Sequence, residues 1–119
     1  MMRRTFSING KPLTFAVSVS TPRLYRMQCG RDIFKDMKTV AHALGDALDG
    51  HDEALELEVL TIYENLAYCM AYAADPAHTP ETVEEWLDSF PSMPIRVVFP
   101  QIELLWLQNL TQLDEPVKK

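Results

Sequence analysis

The chain has 119 residues, 47% hydrophobic and 24% charged, with a formal net charge of -6. That length suits one domain with one modest core, and the composition is ordinary for a globular protein. The acidic balance repels a phosphate backbone, so nucleic acid is not an expected partner; only Arg3–Arg4 and the region from Arg23 to Lys38 are locally basic.

The amino-terminal run MMRRTFSING carries two arginines but no apolar stretch after them, so no signal peptide is expected. Residues 4–9 alternate apolar and polar, as do residues 13–19. Between them stands Asn9-Gly10, the strongest short signal for a two-residue type I′ hairpin turn, which needs positive φ at both positions. Setting Ile8 opposite Lys11 places Phe6 opposite Leu13 and Arg4 opposite Phe15. Phe6, Ile8, Leu13 and Phe15 then share one apolar face. A lone hairpin is marginal in water, so this face must cover helices or a partner.

Thr21-Pro22 predicts a helix start, with Thr21 as N-cap and proline in the first turn. The short helix over 22–29 turns Leu24, Tyr25 and Met27 inward, and Gly30 ends it. Asp32 caps a second helix over 33–48, whose apolar side is Ile33, Phe34, Met37, Val40, Ala41, Leu44 and Leu48. Residues 49–52 read as a turn. The stretch 53–74 has neither Gly nor Pro, and its second half is apolar nearly all round. Such a helix must be covered on several sides, which makes it the central element. Its glutamates exclude a membrane span.

Asp75-Pro76 ends the central helix, and Thr79-Pro80-Glu81 predicts the start of the next, running to Phe90. Pro91 and Pro94 break the chain before a final helix over 97–113, with Pro100 in its first turn or at a kink. The fold class is mainly α: a small helical domain of about five helices with an N-terminal β-hairpin. One domain covers residues 1–113, with the hairpin at 4–19 and the helices at 22–113; residues 114–119 read as a flexible tail.

No reacting constellation stands out. His42, His51 and His78 share no ligand spacing, so no metal site is expected. Glu81, Glu84, Glu85 and Asp88 crowd one helix and read as a solvated face rather than an acid–base pair. Cys29 and Cys69 lack CxxC spacing and read as reduced thiols not disposed for cross-linking. No phosphate-cradling loop or nucleophile elbow occurs. No catalytic residue and no cofactor site is expected.

The final helix carries more. Ile102, Leu105, Trp106 and Asn109 form one stripe, and Leu104 and Leu107 point away from it. Either the helix lies in a groove covered on both sides, or Leu104, Trp106 or Leu107 remains exposed and binds a partner. These three are the candidate protein-binding residues. Self-association through the same apolar surface is expected, giving a homo-oligomer.

The hairpin TFSINGKPLTFAVS followed by an all-helical remainder resembles the tail assembly chaperones of long-tailed bacteriophages. The run DPAHTPETVEEWLDSF looks like their late helix, which opens on T-x-E-x-[VIL] and carries an acidic Trp-Leu-Asp segment. The resemblance implies a phage or prophage protein of the host cell cytoplasm that binds the tape measure protein, keeps its long hydrophobic helices soluble and helps recruit tail tube subunits. It implies no cofactor and no active site, and it transfers no binding residue. Two other classes stay open on the residues alone: a small prophage regulatory or protein-binding module, and a small enzyme, which would need a substrate-sized polar pocket.

Overall fold

A computed structural model describes residues 1–48, 57–92 and 94–114. The expected turn at 49–52, with His51, the first turn of the expected central helix at 53–56, Met93, and the tail after Asp114 lie outside the described residues. The elements are β1 (Met2–Ile8), β2 (Lys11–Val17), α1 (Thr21–Cys29), α2 (Ile33–Leu48), α3 (Leu57–Ala74), α4 (Val83–Asp88) and α5 (Ile95–Asp114). This is a mainly α domain with an N-terminal antiparallel hairpin, in the order the sequence predicts. Among the described residues, no helix is long and apolar enough to cross a membrane.

The hairpin pairs in the register set by its turn: Ile8 with Lys11, Phe6 with Leu13, Arg4 with Phe15. Asn9 and Gly10 take φ of 54° and 80°, the paired positive values a type I′ turn demands. The Phe6 and Phe15 rings stack with centroids 5.0 Å apart. Ile8, Phe15, Ala16 and Val17 are buried, so the helices cover much of the ribbon. Arg4 reaches Gln101 and Gln108 on α5 at 3.2 and 3.3 Å. At the turn, the Asn9 amide donates to the Ser92 carbonyl at 2.7 Å and the Ser92 hydroxyl donates back to Asn9.

α3 is the centre, as its sequence demands. Leu66, Ala67, Tyr68, Cys69, Met70 and Ala71 are consecutive and all buried. No one-sided helix could show that run, since neighbours in a helix point about 100° apart. β2, α1, α2, α4 and α5 all pack on α3.

Helix ends account for several departures from expectation. Ser20 stands at the N-cap of α1 without a side-chain bond. Thr21 is the first helical residue, and its hydroxyl instead accepts the Ser18 N–H at 2.9 Å. Met27 is exposed rather than inward, whereas Tyr25 is fully buried. Gly30 closes α1 in the left-handed conformation, its N–H bonded to the Arg26 carbonyl at 2.8 Å. Asp32 caps α2 as expected, accepting from the Phe34 N–H at 2.9 Å.

α4 starts later than expected. The Thr79 hydroxyl turns backwards and donates at 2.6 Å to the Asp75 carbonyl just past the end of α3, which also accepts the His78 N–H at 3.3 Å. Thr82 is the N-cap, its oxygen accepting from the Glu85 N–H at 3.2 Å. α5 starts earlier than expected, because the Pro94 carbonyl accepts from the Val97 and Val98 N–H groups at 2.9 and 3.0 Å. Pro100 consequently lies inside the helix, where it removes one ladder hydrogen bond.

The two cysteines, distant in sequence, meet across α1 and α3 with their sulfurs 3.8 Å apart, both as free thiols. Helix packing, not sequence spacing, brings them together.

Candidate functional site

α2 and α5 enclose a shallow groove of about 290 Å³, floored by Met37, Val40 and Trp106 and edged by Phe34, Leu107 and Leu110. The apolar side of α2 is too wide to be buried whole. Ile33 and Val40 enter the core, while Phe34, expected on the same inward side, stays 50% exposed. Its ring leans on Trp106, with centroids 5.7 Å apart. Lys38 on α2 and Glu103 on α5 supply opposite charges beside the apolar floor.

The three candidate binding residues separate here. Leu104 and Leu107 are 42% and 48% exposed, three residues apart on α5. Trp106 is 1% exposed and belongs to the core, so it is not available as a surface anchor. The reason is helical geometry: Ile102, Leu105, Trp106 and Asn109 share the inward stripe and are all buried. Asn109 is satisfied there by the Ser18 carbonyl, at 3.4 Å. On the same helix Glu103 accepts the Tyr63 hydroxyl, while Tyr63 stacks on Phe99 at 4.9 Å. Burial, with the Glu103 hydrogen bond and charge adding to it, raises the Tyr63 phenol above its ordinary value.

A second concavity, about 630 Å³, lies between the hairpin and the α3–α4 connection. Its volume falls in the usual range for small-molecule sites, and Arg3, Lys11, Asp75 and His78 line it with Trp86 and Phe90. His78 Nδ1 sits 3.0 Å from the Asp75 carboxylate. The described hydroxyls that line this cleft are bonded elsewhere. The Thr79 and Ser89 hydroxyls donate to backbone carbonyls, and the Thr14 hydroxyl is bonded to that of Thr5 at 2.7 Å. The pair is also open to solvent, its His78 side chain 83% exposed, which removes the low-dielectric setting that strengthens such groups. The acids Glu81, Glu84, Glu85 and Asp88 are exposed on and before α4, as a solvated face.

Among the described residues, one charge is buried. Asp36 is 3% exposed and accepts the Tyr25 hydroxyl at 2.7 Å and two Arg31 guanidinium bonds at 2.8 Å. Burial pushes its carboxyl up, but the Arg31 and Tyr25 hydrogen bonds and the Arg31 charge outweigh that and hold it below its ordinary value. This clasp joins α1 to α2 and serves structure; it opens into neither concavity.

Among the described residues, no three His, Cys, Asp or Glu side chains group to hold a metal. The chain matches no protein-family model, and no curated protein and no solved structure matches it.

Proposed function

We propose that this protein is a tail assembly chaperone of a long-tailed bacteriophage, binding the tape measure protein, keeping it soluble and helping to recruit tail tube subunits. The observation that carries the reading is the exposed apolar edge of α5, Leu104 and Leu107, next to the groove that Phe34 borders. Residues at i and i+3 beside an apolar groove suit an amphipathic helix laid along them. The net charge of -6 would keep a complex with a hydrophobic partner in solution. An N-terminal hairpin followed by helices agrees with the layout that the resemblance implies. The test is co-expression with a fragment of a tape measure protein. Recovery of a soluble complex is expected, and a fragment that precipitates equally with and without this chain would refute the reading.

The cleft between hairpin and α4 favours one alternative, a prophage regulatory or protein-binding module whose ligand enters there. In that case the exposed leucines of α5 are irrelevant to binding, and substituting Arg3 and His78 abolishes it.

A further inference from the structure

The thiol pair is independent of the partner-binding surface. Cys69 lies in the fully buried part of α3 and is held on all sides. Cys29 is the last residue of α1, half-buried, and is followed by the left-handed Gly30 that turns the chain away. Their sulfurs are in van der Waals contact at 3.8 Å, whereas a disulfide needs about 2.05 Å. The remaining approach is small, and it falls on the residue best able to move. Helix ends open more readily than buried helix interiors, so the closing movement is assigned to Cys29.

The two sulfurs are also chemically unequal. The hydrogen bond with Cys69 lowers the Cys29 thiol below its ordinary value, against the effect of burial. The same bond, reinforced by burial, raises Cys69. Cys29, half-buried where Cys69 is wholly buried, is the thiol a peroxide can reach, while Cys69 stands behind it as a resolving thiol.

We propose that Cys29 and Cys69 form a peroxide-oxidisable dithiol that closes to an intramolecular disulfide joining α1 to α3. The Cys29 thiolate attacks one peroxide oxygen; an S–O bond forms, the O–O bond breaks, and the departing hydroxide takes a proton to become water. Cys69 then attacks the Cys29 sulfenic sulfur. The S–S bond forms, the S–O bond breaks, and the leaving hydroxide takes the Cys69 proton as a second water. Two thiols lose two electrons in all, and one hydrogen peroxide gains them.

The experiment treats the reduced full-length protein with equimolar hydrogen peroxide and follows intact mass, thiol content and thermal unfolding. The mass is expected to fall by about two daltons, with both thiols lost and a Cys29–Cys69 linked peptide in the digest. The unfolding temperature is expected to rise by several degrees and to return with dithiothreitol, because the bond restricts the unfolded chain. In Cys69→Ala, dimedone is expected to trap the Cys29 sulfenic acid; in Cys29→Ala, the remaining thiol is expected to survive the same dose. A gain of about 32 daltons with Cys69 still titratable, or a disulfide between chains, would overturn the proposal. The wild-type mass and digest decide the question even if a variant fails to fold.

Discussion

Phe34 lies against Trp106 with ring centroids 5.7 Å apart and planes tilted by 56°, one ring half-exposed and the other buried. The edge of the α2–α5 groove therefore rests on a core side chain. This splits the α5 apolar residues into two energetic classes. Trp106→Ala is predicted to cost about 3–5 kcal/mol, as a large core truncation does. Leu104→Ala is predicted to cost less than about 1 kcal/mol, as a surface change. Urea unfolding of the two variants measures both, and similar values would contradict the division.

The hairpin turn should be sensitive at Gly10 for backbone reasons alone. A Cβ there meets nothing within 4 Å, yet φ is +80°. Gly10→Val is predicted to destabilise the protein by about 1–2 kcal/mol, since a branched residue resists that conformation. An unchanged melting temperature would remove the two-residue turn from the account.

Acid should unfold the protein partly through Asp36. Its folded carboxyl titrates below the ordinary value of about 3.9. The clasp with Arg31 and Tyr25 therefore contributes fully above the unfolded value, and its contribution is lost as pH falls through the folded one. Asp36→Ala is predicted to lower stability at neutral pH by about 1–3 kcal/mol, because the buried Tyr25 hydroxyl loses its acceptor. It should also shrink the loss of stability below about pH 4. Denaturant midpoints across pH 2–7 check both, and a parallel pair of curves would exclude Asp36 as a major acid-sensitive group.

Without a partner, the protein is predicted to self-associate through α5, where Val97, Leu104 and Leu107 are all exposed. The hairpin should contribute less than its sequence suggests, because Ile8, Phe15 and Val17 are already buried. Sedimentation velocity should show oligomers that grow with concentration; a monomer throughout the accessible range would contradict this.

What was legible in the sequence was local. Asn9-Gly10 fixes its own turn and hence the whole strand register. The unbroken apolar half of α3 demands cover all round and receives it. The expected start of α4 at Thr79 is missed because that hydroxyl is drawn to the end of α3, and Thr82 caps the helix three residues later. Trp106 was ambiguous because α5 is apolar on more than one side, and only packing decides which side is inward. The thiol contact and the two concavities have no sequence signature at all. Each depends on where separate elements come to rest.

The proposed function places binding of a hydrophobic helical partner on the exposed leucines of α5. The direct measurement is the affinity of the Leu104→Glu/Leu107→Glu double variant for a tape measure fragment, with circular dichroism and unfolding recorded on the same sample. The double variant is expected to keep native helical content, since both side chains are about half exposed, and to bind at least tenfold more weakly, because a charge in a desolvated contact costs several kcal/mol. Unchanged affinity in a folded double variant would contradict it.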